Sequence, residues 1–72
     1  MPSWKELKRF CERDDWELYR ATDHWYFRKR DTNGNIRSTK VSMSSSQIGS
    51  RLWARILKQQ LQISQTYFNG KI

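Results

Sequence analysis

Two segments of alternating side chains flank an Asn33-Gly34 pair, and this pattern constrains the fold more than any other feature of the chain. Between His24 and Arg30, alternate residues point to opposite faces of a predicted strand. One face holds Trp25, Phe27 and Lys29, and the other holds His24, Tyr26, Arg28 and Arg30. Asn-Gly suits the positive φ of a hairpin turn, so Ile36 to Met43 is predicted to return as the next antiparallel strand.

An earlier segment, residues 16–21, also alternates in character. Trp16 and Leu18 share one face of this segment, and Glu17 and Tyr19 share the other. Alternation of this kind predicts a half-buried strand. Because short turns separate the three segments, we expect an antiparallel meander.

A capping box precedes the first predicted helix, because the Ser3 hydroxyl can accept from the Glu6 amide while Glu6 reaches back. The apolar residues that follow have helical spacing, and Asp14-Asp15 ends the pattern. The sequence therefore predicts an amphipathic helix that runs to about Arg13.

A second helix is expected after the serine run Ser44-Ser45-Ser46, which can supply its N-cap. Its apolar stripe consists of Ile48, Leu52, Trp53, Ile56, Leu57 and Leu61. Its solvated side carries Arg51, Arg55 and Lys58. The tail, residues 63–72, contains Tyr67 and Phe68 and is expected to fold back as a short turn.

This order of elements, α-β-β-β-α, predicts a single α+β domain over residues 1–72. Each helix has one apolar stripe to bury, so both helices should pack on the same face of a three-stranded antiparallel sheet. The residues expected in the core are Trp25, Phe27, Leu7, Leu52 and Ile56. The opposite sheet face should remain open, with His24 on or near the surface.

Positive charge is concentrated in the second half of the chain, within a formal net charge of +7. Residues 1–31 hold eight Lys and Arg against all seven acids, whereas residues 32–72 hold six Lys and Arg and no acid. A surface of one sign attracts and steers polyanions. The expected partner is therefore a nucleic acid, or else an acidic protein that docks on the basic half. A membrane surface ranks last, because no basic helix with a strong free apolar face is evident.

Several kinds of catalytic site are disfavoured by the residues present. The acids are scattered rather than clustered as a two-metal nuclease requires, and a single histidine cannot build a zinc site. Cys11 is expected on the buried side of the first helix, and no phosphate-loop or dinucleotide motif is present. We therefore expect no metal and no cofactor. A lone cysteine, together with the lack of a long apolar run, favours a cytoplasmic protein.

Metal-free cleavage of RNA remains compatible with the sequence. The 2′-hydroxyl of RNA is itself the nucleophile, so an enzyme needs proton transfer and positive charge. His24 can transfer a proton, with Tyr26 as a candidate second group. The candidate RNA-binding cations are Arg28, Lys29, Arg30, Arg37 and Lys40. On spacing alone, a nucleic-acid-binding module with an incidental histidine is favoured over a nuclease.

The chain resembles the HicA family of toxin–antitoxin mRNA endoribonucleases from about Ser3 to Phe68. The opening helix leads to Asp15-Trp16, similar to the Gly-Trp that precedes the family's first strand. Thr22-Asp23-His24 stands where the family has Gly-Ser-His, and the segment after it continues as the family's second strand does. Gly34 lies in the expected hairpin, and residues 47–52 and 56–59 are similar to the family's final helix.

This resemblance implies a fold like that of double-stranded-RNA-binding domains and metal-independent cleavage of mRNA. The catalytic histidine of the family carries over to His24. A HicB-like antitoxin that masks this histidine is the implied protein partner.

Two positions depart from the family pattern. Thr22-Asp23 replaces Gly-Ser, which introduces a negative charge beside His24. The third strand ends in Val41-Ser42-Met43-Ser44, where the family has Val-Pro-x-His. A non-catalytic RNA-binding module of the same fold is therefore the alternative, followed by a domain that docks an acidic protein.

Overall fold

The structure is a computed structural model that describes residues 2–72. Its elements are α1 (Trp4–Arg13), β1 (Glu17–Ala21), β2 (His24–Arg30), β3 (Ile36–Ser42), α2 (Ser50–Arg55), a π-helical segment (Ile56–Leu61) that continues α2, and α3 (Gln65–Lys71). This arrangement confirms the α+β class with a three-stranded antiparallel sheet. None of the helices within residues 2–72 has the length and apolar character needed to cross a membrane.

The sheet is a meander of order β1-β2-β3, and its second hairpin turns at the predicted Asn-Gly pair. Asp31 Oδ1 accepts hydrogen bonds from the backbone amides of Asn33 and Asn35, each at 2.9 Å. Gly34 has φ +85°, a conformation in which a side chain would be strained. These contacts fix the register in which Phe27 faces Thr39.

The hydrophobic core lies between one face of the sheet and all of the helices. From the sheet, Phe27 and Val41 are buried, whereas Trp25, which was also predicted to be buried, is only partly buried against the core. The helical residues buried with them include Leu7, Phe10, Cys11, Trp53, Ile56, Leu61 and Phe68. The helices therefore share one face of the sheet, as the sequence predicted, and the other face is left uncovered.

The predicted capping box of α1 is present. Ser3 Oγ accepts from the Glu6 amide at 3.3 Å, and Glu6 Oε1 accepts from the Ser3 amide at 3.1 Å. At the other end, the Asp14 amide donates to the Phe10 carbonyl at 2.8 Å. The helix thus begins and ends where the sequence indicated.

The predicted start of α2 was wrong. Gly49 is the N-cap, and the hydroxyls of Ser44 and Ser46 bond to each other at 2.7 Å instead of capping a helix. The intervening segment runs beside the N-terminus, where the Ile48 amide donates to the Pro2 carbonyl at 2.9 Å. Burial of Ile48 in this extended connection delays the helix to Ser50.

The predicted burial of Leu52 was also wrong, since 41% of this residue is exposed. Trp53, Ile56 and Leu61 are the buried positions of α2 and the π-helical segment. The spacing of five residues from Ile56 to Leu61 spans the π-helical segment, in which a turn takes an additional residue relative to an α turn. Leu52 lies before this segment, in α2, where it is exposed beside buried Trp53.

The chain's tail forms α3 rather than the expected short turn. Ser64 caps this helix by accepting from the Tyr67 amide at 3.1 Å. Phe68 is fully buried, with its ring centroid 4.7 Å from that of Trp53 and 5.0 Å from that of Phe10. The last helix is therefore an integral part of the core.

Candidate nucleic-acid interface

The uncovered side of the sheet, which we call the open face, carries most of the site residues that were predicted from the sequence. Its members follow from the strand register, because they alternate with the residues that face the core. They are Glu17, Tyr19 and Arg20 of β1, His24, Tyr26, Arg28 and Arg30 of β2, and Ile36, Ser38, Lys40 and Ser42 of β3. Three of the five predicted RNA-binding cations, Arg28, Arg30 and Lys40, lie here with His24.

His24 lies at the start of β2, directly after the turn that joins β1 to β2. Its backbone carbonyl accepts from the Thr22 amide at 3.2 Å, and it pairs with Ser42 of β3. The imidazole is 31% exposed, with Nε2 3.8 Å from Asp23 Oδ2. Nδ1 is buried and has no hydrogen-bond partner among residues 2–72. The nitrogen that solvent or a substrate reaches is therefore the one beside Asp23.

Asp23 is held by hydroxyl groups on both sides. Its Oδ1 accepts from Thr22 Oγ1 at 2.9 Å and from the Tyr26 hydroxyl at 3.1 Å. The bond from Thr22, with the one from Tyr26, lowers the pKa of Asp23. Partial desolvation and the same bond to Asp23 raise the pKa of Tyr26. At neutral pH the site therefore combines a carboxylate, a protonated phenol and the imidazole of His24.

A β-bulge in β1 adds a residue to the open face beyond those that regular alternation would place there. Leu18 pairs with Phe27, but the next pair joins Arg20 to Tyr26, so Tyr19 is the extra residue. The Tyr19 and Tyr26 ring centroids are 6.2 Å apart, which places Tyr19 on the open face. Arg20 lies there too, with Cζ 5.4 Å from the Tyr26 ring centroid. In a regular strand, Arg20 would have faced the helices.

Arg28 is oriented by two neighbours in β1. Its Nε donates to Glu17 Oε1 at 2.9 Å, and its Cζ lies 5.0 Å from the Tyr19 ring centroid. This ion pair raises the pKa of Arg28 and lowers the pKa of Glu17. The guanidinium is thus held beside Glu17 and Tyr19 on the open face, with its charge partly offset.

Arg30 and Lys40 carry charge that no carboxylate within residues 2–72 neutralises through an ion pair. Lys40 is in register with Tyr26, whereas Arg30 lies at the far end of β2. Lys40 also borders a shallow cavity of about 320 Å³ together with Tyr19, Tyr26 and Ser38. Thr39 and Gln60 complete its lining, so the cavity extends from the open face past β3 toward the π-helical segment.

The structure places the two other predicted cations, Lys29 and Arg37, on the helix-packed side. Lys29 Nζ donates to the Asp14 backbone carbonyl at 2.8 Å and to Asp14 Oδ2 at 3.1 Å. Arg37 Nη1 donates to the Leu61 carbonyl at 3.2 Å at the end of the π-helical segment. Both side chains connect structural elements, and neither is brought together with His24.

Cys11 does not provide a second reactive group. It is buried in the core, and desolvation raises the pKa of its thiol to about 12. The thiolate form needed for nucleophilic attack is thus strongly disfavoured. Among residues 2–72, histidine, cysteine and carboxylate side chains form no group of three or more that could hold a metal ion.

Tyr19, Arg20 and Asp23 belong to the candidate interface but were not selected as site residues from the sequence. Alternation alone places Tyr19 on the face of Glu17. The position of Arg20, however, depends on the bulge and that of Asp23 on the short β1–β2 turn, neither of which has a glycine signature in the sequence. Comparison of this chain with protein-family models, with curated proteins and with solved structures finds no significant match to any of them.

Proposed function

We propose that this protein is a metal-independent endoribonuclease that binds RNA on its open face and uses His24 for proton transfer. One observation carries this proposal: a solvent-accessible imidazole shares the uncovered sheet face with the cations Arg20, Arg28, Arg30 and Lys40. Cations position the phosphates of RNA, and a histidine is the side chain best suited to exchange protons near neutral pH.

In the proposed reaction, His24 Nε2 removes the proton from a 2′-hydroxyl of the RNA. The 2′-oxygen then attacks the adjacent phosphorus, and the bond to the 5′-oxygen breaks. The 5′-oxygen leaves with a proton returned by an acid, which gives a 2′,3′-cyclic phosphate and a 5′-hydroxyl. Lys40 and Arg28 stabilise the charge that develops on the phosphate oxygens.

Tyr26 is the proposed second polar group of the reaction. Its ring centroid lies 6.3 Å from that of His24, on the same strand face. Its raised pKa keeps the phenol protonated at neutral pH, so the hydroxyl can donate a hydrogen bond to the phosphate. That bond requires the hydroxyl to exchange its present acceptor, Asp23, for the substrate.

The resemblance to HicA toxins supports the wider biological assignment. We propose a fold of the double-stranded-RNA-binding type, mRNA as the cellular target and a cytoplasmic site of action. The α-β-β-β-α order over Trp4–Leu61 is compatible with this fold, and α3 adds a further helix. The proposed protein partner is a HicB-like antitoxin whose acidic residues cover the basic open face.

A non-catalytic RNA-binding module is the second candidate, and the position of Asp23 favours it. The Asp23 carboxylate is 3.8 Å from His24 Nε2, where a reacting phosphate would have to approach. Two negative charges at such a site repel each other. In this alternative the cations bind RNA, but the phosphate is kept away from the imidazole.

A paired assay of native protein and His24→Ala separates the two candidates. The substrates are an RNA and the same RNA with 2′-deoxy substitutions, each with and without a chelator. For a ribonuclease, native protein cleaves only the RNA, the chelator has no effect, and His24→Ala loses about 10²–10⁴ in rate. RNA binding should persist in the variant, because the cations remain.

Two other outcomes contradict the proposed reaction. Equal cleavage by native protein and His24→Ala would assign the activity to another residue or to a contaminant. Binding by both proteins with cleavage by neither would identify the non-catalytic module. Failure of both proteins to bind RNA at low salt would favour the docking of an acidic protein on the open face.

A further inference from the structure

Two tyrosine rings and two guanidinium groups form a continuous cluster on the open face. The Tyr19 and Tyr26 centroids are 6.2 Å apart with an interplanar angle of 53°. Arg28 Cζ lies 5.0 Å from the Tyr19 centroid, and Arg20 Cζ lies 5.4 Å from the Tyr26 centroid. We refer to these four residues as the tyrosine platform.

Tyr19, at the centre of this platform, has no evident role in holding the fold together. Tyr19 is 43% exposed, and its hydroxyl makes no hydrogen bond within residues 2–72. Tyr67 offers a contrast, because its hydroxyl bonds to buried Asp14 and its ring packs edge-on against Phe10. Tyr19 lies on the open face with Glu17, as alternation predicts, and the bulge at Tyr19 directs Arg20 to the same side. Bulges of this kind commonly re-aim side chains for a function.

We propose that the tyrosine platform stacks the bases of single-stranded RNA, so that the substrate class of the proposed ribonuclease is unpaired rather than duplex RNA. This inference rests on the proposed function. Proteins bind single strands by stacking bases on aromatic rings and guanidinium planes next to cations that track the backbone. Bases in a duplex are stacked on each other and cannot reach such a surface.

The tyrosine platform also lies close to His24, as the proposed cleavage reaction requires. The Tyr26 ring lies between Arg20 and Lys40 across the sheet, and the His24 ring centroid is 6.3 Å away along β2. A base stacked on Tyr26 brings its own ribose and phosphate to the end of the strand that carries His24. Stacking therefore selects an unpaired nucleotide and presents its 2′-hydroxyl to the imidazole.

The test compares three substitutions in β1 for binding to a single-stranded RNA and to a blunt RNA duplex. Tyr19→Leu removes the ring, and Tyr19→Phe keeps it. Leu18→Ala is the matched control, because Leu18 is similarly exposed, at 47%, but lies on the other side of the same strand. Urea unfolding of each variant establishes that it is folded.

We expect Tyr19→Leu to weaken single-strand binding about 5- to 100-fold, the effect of one lost stacking contact. Duplex binding should change little, and the dependence of affinity on salt should keep its slope because no charge is lost. Tyr19→Phe and Leu18→Ala should bind like the native protein. A 2-aminopurine base in the single strand should be quenched by native protein and by Tyr19→Phe, but not by Tyr19→Leu.

A competition experiment with native protein alone covers the case in which Tyr19→Leu fails to fold. Single-stranded RNA should displace a labelled single strand far better than the duplex does. Equal competition by the duplex would overturn the stacking inference while leaving the proposed ribonuclease standing. Unchanged single-strand affinity in folded Tyr19→Leu would also overturn the stacking inference alone. If native protein does not bind RNA at low salt, both the stacking inference and the proposed ribonuclease are overturned.

Discussion

The Tyr67 hydroxyl donates a 2.6 Å hydrogen bond to Asp14 Oδ1, which joins α3 to the end of α1. Asp14 is 6% exposed, and its carboxylate also accepts from Trp16 Nε1 and Lys29 Nζ, each at 3.1 Å. One buried carboxylate thus connects the first helix, the central strand and the last helix. The polar residues of the open face are therefore not needed to hold these elements together, and they remain available to contact a ligand.

Asp14→Ala should destabilise the protein by about 2–4 kcal/mol, since it leaves Trp16 Nε1 and the Tyr67 hydroxyl without their acceptor and removes the carboxylate that pairs with Lys29. Asp15→Asn is the control, because Asp15 is exposed and asparagine tolerates its φ of +62°. Urea unfolding followed by tryptophan fluorescence measures both variants. Equal stability of Asp14→Ala and Asp15→Asn would show that Asp14 does not join the elements energetically.

Stability should fall when the pH is lowered through the acidic range, and Asp14 should account for part of the fall. Burial acts to raise its pKa, but the hydrogen bonds from Tyr67, Lys29 and Trp16 outweigh burial and hold the pKa below its ordinary value. A carboxyl whose pKa is lower in the folded state stabilises the fold above its unfolded pKa and loses this contribution as pH drops through the folded pKa. The free energy of unfolding of Asp14→Asn, measured from pH 7 to pH 2, should therefore depend less on pH than that of the native protein.

Phe68→Ala should destabilise the protein by about 3–5 kcal/mol, the usual cost of removing a buried phenylalanine ring. Its ring packs against Trp53 and Phe10 at the centre of the helical layer. Leu52→Ala is the matched control and should change stability by less than about 0.5 kcal/mol, because its side chain faces solvent. Similar losses in both variants would contradict the burial of Phe68 and the exposure of Leu52.

The sequence predicted the parts of the fold that follow a regular period. In β2 and β3, strict alternation placed Phe27 and His24 on opposite sides, and the capping box located the start of α1. It failed where one extra residue enters a regular element. The bulge at Tyr19 moved Arg20 to the open face, and the π-helical segment sets a spacing of five residues between buried Ile56 and buried Leu61.

Neither the β1 bulge nor the π-helical segment can be predicted from residue type, because each depends on packing between distant parts of the chain rather than on local conformational preference. Thr39 Oγ1 donates to Gln60 Oε1 at 2.7 Å, and Arg37 donates to the Leu61 carbonyl, so β3 binds the π-helical segment directly. Alternation in β2 alone separates Lys29, on the face of Trp25 and Phe27, from Arg28 and Arg30. The β2–β3 register then places Arg37 opposite Lys29 on the helix-packed side and Lys40 opposite Tyr26 on the open face.

Lys40→Ala should weaken RNA binding and reduce the slope of log affinity against log salt by about 1, since one phosphate contact is lost. Lys58→Ala is the control, because Lys58 is exposed on the helical layer, away from the open face. It should leave both affinity and slope nearly unchanged. Equal effects of the two substitutions would indicate binding by net charge alone, without a defined interface.

Asp23→Asn should tighten RNA binding and raise the cleavage rate about 2- to 5-fold, the effect of removing one exposed charge of the wrong sign. The carboxylate lies 3.8 Å from His24 Nε2 and accepts from Thr22 and Tyr26, so asparagine can keep the two hydroxyl contacts while removing the repulsion of a phosphate. Glu12→Gln is the control, because Glu12 is an exposed acid on α1 that pairs with Lys8 at 3.0 Å, remote from the open face. Affinity and cleavage are measured for both variants on the same single-stranded RNA. Tighter binding without faster cleavage would show that the negative charge limits RNA affinity but not the chemistry, and tighter binding without any cleavage would identify a module that holds RNA without cutting it.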